Sequence, residues 1–167
     1  DITNRKLAEQ QLELQGKLFD QTSDRVVVTD MDATIRFVNQ AQCRAVKRQR
    51  DELIGKKPDV LGEDTQRGAT QQQILNATLA HGEWRGEVIN IAADGAEAVV
   101  DLRTFVVRDA SGKALALAGI GTDITAKKMA ETELSQSQEK LRELYHQLQN
   151  ALALEENQPY KKFAGTC

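Results

Sequence analysis

Cysteine, proline, histidine and aromatic residues are all scarce in this chain of 167 residues. Two cysteines, Cys43 and Cys167, make neither a disulfide framework nor a thiolate metal cluster, and their use fits a reducing, cytoplasmic setting. Two prolines, Pro58 and Pro159, leave Asn4–Asp20 and Ala126–Asn157 uninterrupted. With one Trp, two Tyr and four Phe, the core must rest on Leu, Ile, Val and Ala. The apolar run Ala114–Ile120 falls far short of the ~18 residues that a membrane span needs. No charged and then apolar leader opens the chain, so no signal peptide is expected. Asp1 is not an initiator Met, which predicts a piece of a longer protein. The two histidines, His81 and His146, join no Ser-His-Asp or Cys-His set, and no HExxH, CxxC or Gly-rich phosphate loop occurs. An enzyme reading therefore names no catalytic residue and no metal ligand. A net charge of −3 without a basic face argues against nucleic acid as a partner.

Both ends read as charged helices. Leu7, Leu14 and Leu18 recur on the first, with Leu12 beside them. On the second, Leu134, Leu141 and Leu148 fall a heptad apart, with Leu144 and Ala151 completing an a/d seam and Ser137 as its weak point. Such a stripe either lies on its own domain or pairs with a second copy. The polar remaining faces (Gln136, Gln138, Glu139, Lys140, Glu143) favour a dimeric coiled coil, hence a homodimer. The chain also repeats itself: Asp1-Ile2-Thr3-Asn4-Arg5-Lys6-Leu7-Ala8-Glu9 returns as Asp123-Ile124-Thr125-Ala126-Lys127-Lys128-Met129-Ala130-Glu131. Each copy offers a helix cap, a basic pair, an apolar residue and an acid in register.

Between the helices the period drops to two. Strands are predicted over Arg25–Asp30 and Thr34–Val38, joined by a turn at Met31-Asp32-Ala33. Short helices are expected at Gln40–Arg48 and Asp51–Ile54, and a longer one over 64–80 ended by His81-Gly82. Three long strands follow, Trp84–Ala92, Ala96–Val107 and Lys113–Thr122, with turns at Asp94-Gly95 and Asp109–Gly112. This order predicts an α+β fold, a five-stranded antiparallel sheet with helices on one face, flanked by the two terminal helices. The expected parts are an N-terminal helix (1–20) leaving an upstream domain, a core (21–125), a coiled-coil helix (126–158) and a tail or linker (159–167).

The words of this core resemble those of the PAS domain of bacterial signalling proteins. They are Phe37-Val38-Asn39 before the helix with Cys43, Asp51-Glu52-Leu53-Ile54-Gly55-Lys56, and Trp84-Arg85-Gly86-Glu87. Asp94-Gly95, Arg108–Lys113 and the exit Gly119-Ile120-Gly121-Thr122-Asp123-Ile124-Thr125 follow in order. The resemblance implies a pocket between sheet and helices. Haem is not expected, because the helix over 64–80 lacks the histidine that haem-binding branches use. Photochemistry through a cysteinyl adduct is not expected either, since Pro58 stands at the reactive Cys position. FAD is compatible with Trp84 and Asn90, which lie six apart and so share a strand face. A metabolite or an empty pocket fits as well.

The resemblance thus implies Asn39, Cys43, Trp84 and Asn90 as pocket candidates, with Cys43 also readable as a small buried hydrophobe. Asp123, Ile124 and Thr125 become the relay into the helix, and Leu134, Leu141, Leu144 and Leu148 the dimer seam. The function implied is a sensory module of a sensor kinase or cyclase, within a two-component or similar system. It would report ligand, redox or cofactor state to a downstream output domain in the same chain. The alternatives are a cofactor-free interaction scaffold, or a histidine-kinase phosphoacceptor region built on His146-Gln147.

Overall fold

The computed structural model describes residues 1–157, so the expected tail (159–167) lies outside the described residues. The chain divides into one compact unit, Asp1–Thr125, and a second from Ala126 onward. In the first, α1 (Ile2–Gln21) is opened by Asp1, whose carboxylate accepts from the Thr3 amide at 3.2 Å. Strands β1 (Arg25–Thr29) and β2 (Ile35–Val38) come next, then α2 (Gln40–Val46), α3 (Arg50–Leu53) and a 3₁₀ turn (Pro58–Leu61). Helix α4 (Gln71–His81) leads to β3 (Glu83–Ile91), β4 (Glu97–Arg108) and β5 (Ala114–Asp123). All pairings are antiparallel and the sheet order is β2-β1-β5-β4-β3, so the first strand lies beside the last. This is the expected α+β architecture.

Three details differ from the sequence reading. The β1–β2 loop is longer than a tight turn, because the Asp30 carboxylate accepts from the amides of Asp32 and Thr34 at 3.0 and 2.9 Å and rounds the loop off early. Helix α4 starts at Gln71 and not at 64. Asp64 instead accepts from the Gln66 and Arg67 amides at 2.8 and 3.1 Å, and Thr70 with Gln73 forms the capping box that opens the helix. The 3₁₀ turn was not foreseen; Pro58 at its start has a ring-fixed φ suited to it. Just after it, Gly62 has φ +81°, and a Cβ there would lie 1.9 Å from the Ile91 carbonyl oxygen. Only glycine lets these two backbones touch.

The core forms two clusters. Ile35, Val38, Cys43, Val46, Leu53 and Leu61 pack under the short helices. Ile74, Val88 and Val100 pack under α4, with Trp84 and Leu102 at the margin. The second unit carries, from Ala126 onward, α5 (Thr125–Asn157), a continuous helix without Gly or Pro. Its Leu134, Leu141, Leu144 and Leu148 are 61%, 66%, 53% and 57% exposed, so the apolar stripe has no cover within the described residues.

Asn39 joins α1, β1 and α2. It is fully buried, its Oδ1 accepts from the Val26 and Gln42 amides at 3.0 and 3.1 Å, and its Nδ2 donates to the Phe19 and Asp24 carbonyls at 2.9 Å each. Asp20 adds a bond from the Gln40 amide at 3.0 Å, and Phe19 meets Phe37 edge to face. Asn39→Ala removes all of the Asn39 bonds at once and leaves buried backbone groups unpaired. The expected loss is about 2–4 kcal/mol of unfolding free energy in urea melts, against a loss below about 1 kcal/mol if water replaces the bonds.

Candidate functional site

The strand registers decide what faces the helices. Arg25 pairs with Gly121, Val27 with Gly119, and Gly119 and Gly121 pair in turn with Thr104 and Leu102. These residues share one face, and α4 with Gln42, Pro58 and Leu61 closes over them around a cavity of about 90 Å³. The two glycines open it. They stand two apart on β5, so both bare positions face inward where side chains would otherwise fill the space. A Cβ at Gly121 would come within 2.7 Å of Val100 Cγ1, whereas one at Gly119 would have ordinary contact with Thr104 Cγ2 at 3.6 Å.

The wall is apolar with a few polar points. Thr78 donates to the Ile74 carbonyl at 2.7 Å, and its hydroxyl meets that of Thr104 at 2.5 Å. Asn90 donates to the Gly62 carbonyl at 2.8 Å. Arg25, with its side chain only 7% exposed, donates to Asp123 Oδ2 at 2.8 Å and makes a long 3.4 Å contact to Asn90 Oδ1. Among the described residues Arg25 is the only charged one bordering the cavity.

Asp123 faces two ways. Its Oδ1 accepts from the Thr125 amide and hydroxyl at 3.0 and 2.6 Å, capping α5, while its Oδ2 holds Arg25. Thr125 Oγ1 accepts from the Val99 amide at 3.0 Å, and the Ile124 amide donates to the Val99 carbonyl at 2.9 Å. Burial pushes the Asp123 carboxyl up, but the Thr125 hydroxyl and amide, and then Arg25, outweigh it and hold the group below its ordinary value.

A profile of the family described as PAS fold matches residues 19–129. The chain belongs to the PAS fold family. It is therefore a signal-sensing module. A similar curated protein is the nitrogen fixation regulatory protein of Klebsiella pneumoniae, 24% identical over 158 residues, which make up 90% of this chain and 32% of that protein. The chain thus spans about a third of that relative's length. Among solved structures, the PAS domain of a protein from Colwellia psychrerythraea is 24% identical with TM-score 0.59, over 69% of this chain and 98% of that one. The PAS domain of an HTR-like protein from Haloarcula marismortui is 20% identical with TM-score 0.61, over 74% and 100%. These likenesses carry the fold alone.

Within this PAS domain the four pocket candidates part company. Asn90 borders the cavity. Trp84 shares its strand face but packs on the Ile74 cluster, its ring over Gly86, where a Cβ would meet it at 2.8 Å. Asn39 is occupied by its backbone bonds, and Cys43 sits in the other core cluster. Burial raises the Cys43 thiol above its ordinary pKa, which keeps it protonated. Residues that the sequence reading missed are Arg25, Gln42, Gly119 and Gly121. The glycine pair at i, i+2 on a strand was the available signal. Of the two residues read as compatible with FAD, Trp84 and Asn90, only Asn90 borders the cavity. No helix among the described residues is long and apolar enough to cross a membrane.

The Arg25–Asp123 pair sets a pH dependence. The Asp123 carboxyl lies lower in the folded chain than when unfolded, so on acidification the unfolded state takes up its proton first. The stabilisation is complete above about pH 4 and is lost as pH falls through the lowered folded value. Asp123→Asn is expected to lower stability near neutrality, because Arg25 loses its counter-charge. It should also flatten the fall of the melting temperature below about pH 4. An unchanged acid slope in the variant would assign the slope to other carboxylates.

Proposed function

We propose that this PAS domain senses a small ligand in its cavity and passes the bound state through Asp123-Ile124-Thr125 into α5. The helix in turn drives an output domain elsewhere in the same chain. The observation that carries this reading is the double use of Asp123, with one oxygen on the arginine of the cavity wall and the other on the first turn of α5. A change at Arg25 alters the cap without passing through any intermediate side chain. The setting proposed is cytoplasmic, and the role regulatory without catalysis by this domain. Nucleic acid and membrane are not partners in this reading.

The second element is a homodimer through the Leu134, Leu141, Leu144 and Leu148 seam. Burying a leucine side chain stabilises by roughly 1.5–3 kcal/mol, and all four stand more than half exposed on the single helix. Coiled-coil packings are discrete, so a small change at the cap can select one register over another.

Leu141→Asp or Leu144→Lys is expected to weaken the dimer by about a thousandfold, leaving monomers in light scattering. Variants that stay dimeric would move the interface to α1 or the sheet. A scaffold without a ligand would show the same dimer, with an α5 that no small molecule alters.

A further inference from the structure

We propose that the cavity binds a small, neutral, apolar molecule of hydrocarbon character in the space left free by Gly119. This rests on the sensory reading above and adds the chemical class of the ligand. The wall is largely aliphatic, with Val27, Leu61, Ile74, Val100, Leu102 and Leu117 among its residues. Its polar points are engaged within the fold. The Thr78 hydroxyl donates to the Ile74 carbonyl and meets that of Thr104, Thr29 donates to the Asp30 carbonyl, and Asn90 donates to the Gly62 carbonyl. Arg25 is matched by Asp123 at 2.8 Å. No buried side-chain nitrogen or oxygen among the described residues lacks a partner.

Such a wall selects against charge. Gln42 and Gln71 also border the cavity and carry none. An ionic ligand would give up its water without meeting an unmatched opposite charge. A neutral hydrogen-bonding ligand would trade bonds to water for groups already bonded to one another, which gains little. A hydrocarbon has no such bonds to lose, and it gains by leaving water.

Gly119 points to a space that is kept open. It lies in strand β5, and a Cβ there would meet Thr104 Cγ2 at 3.6 Å and Leu102 Cδ1 at 3.7 Å, both ordinary contacts. Alanine therefore fits the fold. Glycine inside a strand costs stability relative to alanine, and it marks places where a ligand or another backbone comes close. The nearest backbone atom, the Val27 carbonyl oxygen, would stand 4.0 Å from that Cβ, so no backbone approach requires the glycine. Gly121 differs, because Val100 Cγ1 leaves no room for a Cβ. Arg25 borders the same space. An occupant packed against its aliphatic stem bears on the contact to Asp123 without a bond to either charge.

The test is a titration of the whole ¹⁵N-labelled chain, followed by NMR, with xenon, benzene, pyridine and sodium propionate. The buffer is mildly alkaline, so that pyridine is neutral. Xenon and benzene are expected to shift the Leu117, Gly119, Gly121 and Thr125 amides saturably. Xenon bound with benzene excluded would uphold the class and set a size limit. Pyridine, nearly the shape of benzene with one acceptor added, should bind about tenfold more weakly or worse, and propionate should not bind. Gly119→Ala should weaken xenon and benzene by about tenfold while raising the melting temperature by roughly 2–4 °C. Pyridine or propionate binding as tightly as the apolar probes, or binding that Gly119→Ala leaves unchanged, would overturn the apolar class. If those polar probes move Thr125, the sensory reading stands without it. Apolar probes bound at Gly119 with Thr125 unmoved would uphold the class and overturn the relay. No saturable shift from any probe would overturn both the class and the cavity as the sensing site.

Discussion

A guanidinium withdrawn from water has to be matched by a negative charge, and in this fold that requirement closes the domain. Arg25 opens the first strand and Asp123 ends the last, 98 residues later. Their 2.8 Å contact can form only when β1 lies beside β5 in the observed register. Removing Asp123 leaves the buried Arg25 with a cost that a surface pair would not carry. The register that brings them together also sets Gly119 and Gly121 opposite Val27 and Arg25, so the same constraint creates the cavity. The ion pair, the empty space and the exit to α5 are consequences of one strand alignment.

Asn39 does for the entry what Asp123 does for the exit. Its amide binds the end of α1, the approach to β1 and the start of α2 through backbone groups alone. On α1 only Phe19, against Phe37, and Asp20, on the Gln40 amide, add side-chain contacts to the joint. Both polar residues stand at the end of the sheet where β1 begins, Asn39 on Val26 and Asp123 on Arg25.

The strands and their hairpins were legible because Asp-Gly and Asp-Ala-Ser-Gly turns sit between period-two runs, and such turns leave little freedom of register. The start of α4 was not legible. Asp64 looks like a helix-opening acid, yet its carboxylate ties the amides of Gln66 and Arg67 in a loop, and Thr70 takes the cap. The parity of Trp84 and Asn90 on β3 was read correctly, but parity is not proximity. Asn90 borders the cavity, whereas the Trp84 ring turns onto Gly86 and the Ile74 cluster. Arg25 and Gln42 were hidden for a different reason. Their roles depend on pairing across strands and on burial, and the Val26-Val27-Val28 run conceals which face of β1 is inward.

The repeat at the chain's two caps has a geometric consequence. Thr3 N reaches Asp1 as Thr125 N reaches Asp123, at 3.2 and 3.0 Å, so α1 and α5 start from the same kind of knot. Helix α1 runs 20 residues from that knot to the joint held by Asn39. Each added residue would turn the far end by about 100° and lengthen it by about 1.5 Å. Seven residues return it to within about 20° of its starting azimuth. Wherever a helix of this kind connects two such domains, its length is therefore quantised. Insertions of a heptad keep the two domains close to angular phase, whereas insertions of three or four residues turn them by about −60° or about +40°, twists of opposite sign.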